Sequence, residues 1–199
     1  MGSAIQPTGG IRKLWTAERE LFRAHLFRLD AESLRNRFAM TVGEEFLNDY
    51  AERCFANGDL IYVYTEDGMV RASAELRPLA TAGADSAEVA FSVEVDWRNR
   101  GIGAALFDRM ITAAGNRGYR KLHMNCLAWN RPMQALARKF KASLHFETGD
   151  IVGTVIADTR NPATFVREAV ENMHSFTTAV LDLQARQISR WQRLTGQTS

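Results

Sequence analysis

The sequence predicts a domain of the α/β or α+β class, built on a mixed β-sheet with helices packed against it. Two apolar segments of period two, at 60–65 and 70–76, flank Asp67-Gly68, a pattern that is typical of an antiparallel hairpin. Strands at 87–95 and 121–127 are each followed by a helical apolar pattern. A hairpin combined with strand–helix alternation predicts a sheet with both antiparallel and parallel neighbours.

The residues before the hairpin predict one short strand and three helices. Residues 11–15 predict the strand, and Thr16 is expected to cap a helix that runs to about residue 29. A second helix restarts at Asp30. Residues 44–56 predict the third helix, which should end at Asn57-Gly58 because glycine accepts the left-handed conformation common after a helix.

The later elements follow from glycine, proline and the apolar spacing. The helix after Gly103 should end at Arg117-Gly118, and Pro132 should open a helix that runs to about residue 140. Residues 142–147 and 151–157 predict two more strands. Asn161-Pro162 is expected to open a last helix to about residue 194. Its apolar stripe consists of Val166, Val170, Met173, Phe176, Val180, Leu183 and Trp191.

Composition narrows the functional classes. With 199 residues and 46% apolar content, the chain can build one buried core. We expect a flexible lead at 1–10, the main domain at 11–157 and a helical extension at 158–199. A net charge of +2 gives no reason to predict nucleic-acid binding, and no apolar run is long enough for a membrane span. Without a signal peptide, the predicted location is cytoplasmic.

The two cysteines, Cys54 and Cys126, lie far apart in the sequence and belong to no metal-binding spacing. We therefore expect both to be reduced and buried in the core, and we expect no metal site.

The segment DWRNRGIGAAL, from Asp96 to Leu106, carries the clearest chemical signal. A helix begins there directly after two glycines, and the first backbone N–H groups of a helix lack partners and favour anions. Arg98 and Arg100 add positive charge. The segment lacks the third glycine of a dinucleotide-binding turn and the lysine of a P-loop. It predicts a site for the diphosphate of some other carrier; the alternative is an ordinary strand-to-helix turn with solvated arginines.

The segment VEVDWRNRGIGAAL resembles the coenzyme A loop of the GNAT acetyltransferases, with Arg98, Gly101 and Gly103 in the motif positions. LHMNCLAWNRPMQALARKFKA resembles the strand–helix segment of the same family, with Asn130 and Leu136 in its places. DAESLRNRF and AEVAFSV further resemble the bacterial protein-lysine acetyltransferase branch. The resemblance covers roughly residues 11–157.

The resemblance implies a splayed mixed sheet that binds acetyl-CoA, or another acyl-CoA, between two central strands. Main-chain groups near Phe91 and Val93 would contact the pantetheine and thioester, and Asn130 would bind the cofactor arm. The diphosphate would lie against a loop that includes Arg98, Asn99, Arg100, Gly101, Ile102, Gly103 and Ala104.

Amine acylation needs a base, and Glu88 is the first candidate. The period of a strand puts Glu88 on the face opposite Val89 and Phe91, and the resemblance to the lysine-acetyltransferase branch gives it the role of general base. Glu75 and Glu94 are weaker rivals. Many family members carry a Tyr as general acid where this chain has Ala137, so a Tyr-assisted mechanism is not expected at this position.

The function remains open between two classes. The first is an N-acyltransferase acting on a primary amine, either a protein lysine or a small molecule; the second is a non-catalytic acyl-CoA-binding sensor. Acceptor choice should lie in the early helices and in loops such as 79–86. The last helix either packs on its own domain or forms a homodimer, because its apolar spacing is close to 3.5 residues.

Overall fold

A computed structural model describes residues 9–147, 150–157 and 162–195, which form seven strands and six α-helices. The strands are β1 Gly10–Lys13, β2 Leu60–Glu66, β3 Met69–Pro78, β4 Ser86–Val93, β5 Lys121–Leu127, β6 Ser143–Glu147 and β7 Asp150–Ile156. The helices are α1 Arg19–Arg28, α2 Ala31–Phe38, α3 Glu44–Ala56, α4 Ile102–Arg117, α5 Arg131–Lys139 and α6 Pro162–Thr195. Most of the predicted lead, and Asn161 as the predicted cap of the last helix, lie outside the described residues.

One sheet holds all seven strands in the order β1-β2-β3-β4-β5-β7-β6. Every neighbouring pair is antiparallel except β4 and β5, which run parallel with α4 as the crossover. The predicted mixed sheet with flanking helices is therefore confirmed.

The β2–β3 hairpin turns through Asp67 and Gly68, with φ angles of 51° and 70°. Two consecutive residues with positive φ define the two-residue turn that best fits the twist of a hairpin, and a non-branched Asp followed by Gly tolerates it. The predicted hairpin is confirmed, and the strands extend a few residues beyond the predicted limits.

Two local predictions are wrong. Thr16 does not cap α1; instead a short 3-10 turn, Thr16–Glu18, precedes that helix, and the Glu18 carboxylate accepts a hydrogen bond from the Trp15 N–H at 3.2 Å. Glu18 is held there by an ion pair with Arg12 of β1 at 2.7 Å, a tertiary contact that local capping rules do not include. The strand predicted at 87–95 ends at Val93, because Val95–Trp97 form another 3-10 turn.

The sheet buries a separate apolar cluster on each face. One cluster joins the inner face of α4, through residues such as Phe107 and Met110, to Ala72, Ala74 and Leu122 of the strands. The other joins α1 and α3 to the opposite face of β2 and β3. Because β3 and β4 are covered on both faces, their alternate side chains reach two different environments. Cys54 and Cys126 are buried and do not form a disulfide, as predicted.

Helix α6 packs on the domain through polar side chains. Glu168 is buried, accepts hydrogen bonds from Asn116, from Arg117 at 2.7 Å and from Tyr62 at 3.4 Å, and so ties α6 to α4 and β2. Much of the apolar stripe is exposed, namely Val166, Val170, Met173 and Val180. Phe176 is also partly exposed, but its ring packs edge-on against Trp15, with the ring centres 5.4 Å apart. None of the helices within the described ranges is long and apolar enough to cross a membrane.

Candidate active site

A gap opens between β4 and β5, the two central strands. Their parallel pairing covers only three residue pairs, from Ser86 with Lys121 to Glu88 with His123. Beyond that point β4 pairs only with β3, and β5 pairs only with β7. The main chain of β4 after Glu88 therefore turns one edge toward the gap rather than toward another strand, as the splayed sheet predicted by the resemblance requires.

Two cavities meet at this gap. The smaller cavity has a volume of about 310 Å³ and lies over Glu88, beside α2, α3 and the end of β5. The larger cavity, of about 520 Å³, runs between α2 and α5 to the start of α4. Both are lined by the same five residues: Asn36, Arg37, Phe91, Asn130 and Met133. A ligand in the larger cavity therefore reaches a second ligand in the smaller one.

The start of α4 gives the larger cavity its anion-binding character. Gly101 is the N-cap of α4 with φ of +80°, and Asn99 has φ of +60°. The first helical hydrogen bond runs from the Ala105 N–H to the Gly101 carbonyl at 3.0 Å. The three intervening N–H groups, of Ile102, Gly103 and Ala104, consequently have no helical partner and line the larger cavity. An anion is stabilised in such a position by these dipoles.

The two arginines of the loop have different surroundings. The Arg98 guanidinium donates to Ser33 Oγ, lies 3.6 Å from the Asp30 carboxylate, and lines the larger cavity. The Arg100 guanidinium instead lies over the Trp97 ring, 4.7 Å from its centre, and is absent from the cavity wall. Arg98 therefore lies at the predicted diphosphate site while it also contacts α2. The Arg100 side chain lies against Trp97 and not at this site.

The remaining residues predicted to bind the cofactor also line the gap. Phe91 and Asn130 contribute to both cavities, and Val93 contributes to the larger one. Asn130 caps α5 by accepting a hydrogen bond from the Met133 N–H at 3.2 Å. This capping bond uses the Asn130 carbonyl oxygen, so the NH₂ group has no partner among the described residues and is available to a ligand.

Glu88 lines the smaller cavity at the point where β4 and β5 separate. Within the part of the chain that the structure describes, its carboxylate forms no hydrogen bond and no ion pair. Its cross-strand neighbours are Arg77 on β3 and His123 on β5. Glu88 therefore has the exposure and the free lone pairs that a general base needs.

Glu94, one of the two rival carboxylates, is committed to structural contacts. Its oxygens bind the His25 ring nitrogen, Arg28 and Arg71 at 2.9–3.1 Å. Although burial favours the neutral acid, the His25 hydrogen bond and the arginines hold the pKa of Glu94 below its ordinary value. Glu94 is thus ionised but already paired, and it lines neither cavity.

Glu75, the other rival, is fully buried at the centre of a polar cluster behind the smaller cavity. Its Oε2 accepts hydrogen bonds from Arg37 at 2.7 Å, from Arg77 at 3.1 Å and from the Tyr50 hydroxyl. Burial, together with the charge of Glu75, raises the pKa of Tyr50, so this hydroxyl stays protonated and acts as a donor. We refer to Arg37, Tyr50, Glu75 and Arg77 as the arginine cluster.

Three members of the arginine cluster, Arg37, Tyr50 and Arg77, line the smaller cavity and were missed by the sequence reasoning. The available signal was Glu75 itself, a carboxylate within the apolar pattern of β3, because a buried charge requires partners. The early helices do supply cavity residues, as expected. The loop at 79–86 lines neither cavity, and its part in acceptor choice stays a prediction.

Comparison with known proteins agrees with this geometry. The model of the acetyltransferase (GNAT) family matches residues 23–142, more than half of the chain. No curated protein matches by sequence. The GNAT domain of PAT from S. lividans is similar in structure, with a TM-score of 0.64 and 21% identity over 74% of this chain and 90% of that chain.

Two further solved structures have the same fold. An N-acetyltransferase from Staphylococcus aureus Mu50 has a TM-score of 0.58 and 21% identity, covering 77% of this chain and 99% of that chain. A GNAT superfamily phosphinothricin acetyltransferase from Sinorhizobium meliloti, solved with AcCoA, has a TM-score of 0.58 and 18% identity, covering 78% and 91%. With the family model spanning the splayed strands, the helix start and both cavities, the chain belongs to the GNAT acetyltransferase family and is an acyl-CoA-dependent acetyltransferase.

Proposed function

We propose that this enzyme transfers an acetyl or other acyl group to a primary amine, on a protein lysine or a small molecule, with Glu88 as the general base. The observation that carries the proposal is the free Glu88 carboxylate at the separation of β4 and β5. It lies in a cavity that shares five lining residues with the cavity at the start of α4. The amine would therefore enter through the smaller cavity.

The larger cavity fits the acyl-CoA co-substrate. The unpaired N–H groups of Ile102, Gly103 and Ala104 would bind the diphosphate, with Arg98 beside them. The β4 edge near Phe91 and Val93 would bind the pantetheine arm, together with the free NH₂ group of Asn130. The acetyl-CoA held by the S. meliloti neighbour supports this assignment.

The role of Glu88 follows from the chemistry of amines. A lysine-type amine has a pKa near 10.4, so keeping it neutral at pH 7 costs about 4.6 kcal/mol, at ~1.36 kcal/mol per pH unit. A carboxylate that accepts this proton, directly or through one water, contributes about 10²–10⁴-fold in rate. The amine nitrogen then attacks the thioester carbonyl, the C–S bond breaks, and CoA leaves as a thiolate.

The thiolate needs no dedicated proton donor. A thiol has a pKa near 8.5, so its conjugate base is a fair leaving group at neutral pH. Ala137, in the position where many family members carry Tyr, is fully buried and provides no donor. The mechanism therefore depends on one protein base.

The experiment compares Glu88→Gln with Glu45→Gln, a matched change at an exposed glutamate outside both cavities. CoA release is followed with acetyl-CoA and a panel of amines from pH 6 to 9, and acetyl-CoA binding is measured by calorimetry. We expect Glu88→Gln to lower turnover about 10²–10⁴-fold and to leave binding unchanged. An unaltered rate and pH profile would remove Glu88 from the mechanism. Acetyl-CoA binding by the wild type without CoA release from any amine would favour the sensor function.

A further inference from the structure

Among the described residues, the hydrogen bonds of the arginine cluster leave several guanidinium N–H donors unpaired, and one buried acceptor, Glu75 Oε1, is unpaired as well. Arg37 and Arg77 each direct Nη2 to the same carboxylate oxygen of Glu75 and to the Tyr50 hydroxyl. Arg77 Nε lies 3.6 Å from Asp59. These contacts balance the two positive charges with two acidic residues, but they leave both Nη1 groups without a hydrogen-bond partner among the described residues.

Arg37 shows the surplus most clearly. Its side chain is only 10% exposed, and its buried Nε has no partner. A buried donor that stays unpaired costs about 1–3 kcal/mol, so most such groups in folded proteins are satisfied. Arg37 lines both cavities, at the point where they meet. Its Nε is too deeply buried to face the cavity, but a ligand with acceptor oxygens in the smaller cavity would pair with the Nη1 group, which is not fully buried.

The neighbouring Glu88 carboxylate is an acceptor that lacks a donor, whereas the arginines are donors that lack an acceptor. It is the cross-strand partner of Arg77, and side chains in such positions start about 4.5–5.5 Å apart on the same face of the sheet. The two nevertheless form no ion pair, because Arg77 turns toward Glu75 and Asp59. The smaller cavity therefore presents free guanidinium N–H groups and a free carboxylate side by side.

We propose that the acceptor is an amino acid, that is, an amine carrying its own carboxylate, and that Arg37 and Arg77 bind this carboxylate while Glu88 receives the amine. The proposal rests on the acyl-transfer function above. A zwitterion brings no net charge into the cavity and meets both unsatisfied groups. Guanidinium groups bind carboxylates in a fixed geometry through paired N–H donors, which orients the amine. The volume of about 310 Å³ is near the lower limit for ligand pockets and favours a small acceptor.

The reaction on such an acceptor is balanced without any further reagent. The neutral amine nitrogen forms a bond to the thioester carbonyl carbon, and the C–S bond breaks. Before the attack, Glu88 takes one proton from the ammonium group and releases it to solvent, and the second proton, lost from nitrogen after the attack, passes through Glu88 to the departing thiolate. The products are an N-acyl amino acid and CoA, and the carboxylate on the arginines is unchanged throughout.

The test uses pairs of acceptors that differ only in the carboxylate: a set of L-amino acids and their carboxamides, assayed by CoA release on the whole chain with acetyl-CoA. One charge-assisted hydrogen bond is worth about 1.5–3 kcal/mol, so we expect kcat/KM to favour the acids by about 10- to 150-fold. Equal rates on acids and carboxamides would overturn the carboxylate proposal and leave acyl transfer standing, as would a preference for lysine-containing peptides.

The variants separate recognition from folding. Arg77→Met should raise KM for the acids more than for the carboxamides and so reduce the preference, with Arg37 keeping the remainder, while Arg77→Lys should reduce it less. Arg53→Met, an exposed change on α3 outside both cavities, is the control and should retain the full preference. An undiminished preference in a folded Arg77→Met protein would refute the role of Arg77.

A complete lack of acceptor turnover with acetyl-CoA still bound would instead overturn the proposed function. In that case calorimetry with an amino acid and its carboxamide on the CoA-bound protein decides the carboxylate proposal by itself, since equal affinity for the two compounds refutes it.

Discussion

Gly101 and Gly103 open the same helix, but we predict that replacing them by alanine has opposite effects on stability. Gly101 has φ of +80°, where a Cβ atom costs about 1–2 kcal/mol. A Cβ at Gly103 would have one neighbour within 4 Å, Leu136 Cδ2 at 3.9 Å, which is an ordinary contact. Replacing glycine at such a compatible position stabilises a protein by about 0.4–1 kcal/mol.

The two variants should therefore differ by about 1.4–3 kcal/mol in free energy of unfolding, the sum of the two opposite effects. At about 2–4 °C per kcal/mol for a chain of this size, their melting temperatures should differ by roughly 3–12 °C, with Gly103→Ala the more stable. Thermal unfolding of both variants beside the wild type measures the difference. If Gly103→Ala is as unstable as Gly101→Ala, the backbone argument for the helix start is wrong.

At Gly103, a measurement of acetyl-CoA affinity tests the proposed cofactor site independently of the stability of the fold. Gly103 lines the larger cavity, so a Gly103→Leu side chain would occupy the space assigned to the diphosphate. We expect acetyl-CoA affinity to fall about 10- to 150-fold, which corresponds to one lost charge-assisted hydrogen bond. Ala105→Leu, on the exposed side of the same helix, is the matched control and should bind normally. Undiminished calorimetric affinity in a folded Gly103→Leu protein would contradict the diphosphate site.

Two further outcomes are expected. The free energy of unfolding should fall as the pH is lowered from 7 to 4. Burial lowers the pKa of His25 from its ordinary 6.5, while the hydrogen bond from His25, together with nearby arginines, holds the pKa of Glu94 below 4.5 despite its burial. Both groups therefore bind more protons in the unfolded chain than in the folded one over this range, which favours unfolding in acid. Urea unfolding across this range measures the effect, and greater stability in acid would contradict it. For the homodimer that the sequence leaves as one of two alternatives, light scattering should give twice the monomer mass, and changing the exposed Val170 and Met173 to glutamate should dissociate it. A monomeric mass for the wild type would exclude the dimer and favour packing of the last helix on its own domain.

Elements governed by local rules could be predicted from the sequence. Helix α3 spans the predicted residues and is followed by Gly58 at φ of +73°, and β5 also has its predicted limits. In both cases the signals lie within a few residues of the boundary they determine. Thr16 failed as a cap because the competing contact, Arg12 with Glu18, depends on how β1 lies beside the first helix.

In the candidate site, too, residues that are close together in the sequence could be predicted, whereas residues brought together by packing could not. The diphosphate loop was recognisable because Gly101 and the first turn of α4 are consecutive in the sequence. The arginine cluster was not recognisable, since Arg37, Tyr50 and Arg77 come from α2, α3 and β3 and meet only when the helices pack on the sheet. Nothing in the local sequence around Arg77 indicates that it turns away from Glu88 toward Glu75.

Strand β4 explains how one chain segment serves both halves of the reaction. Its residues Val89, Phe91 and Val93 face the α4 cluster, whereas Glu88 and Ser92 face α1, α2 and α3. Because alternate side chains of a strand point to opposite faces, the proposed base lies on the proposed acceptor side, while the same strand leads toward the loop proposed to bind the diphosphate. The loss of pairing after Glu88 then opens the main chain between these two sides. In the proposed mechanism the amine and the thioester therefore meet at the edge of β4, beside Phe91, which lines both cavities.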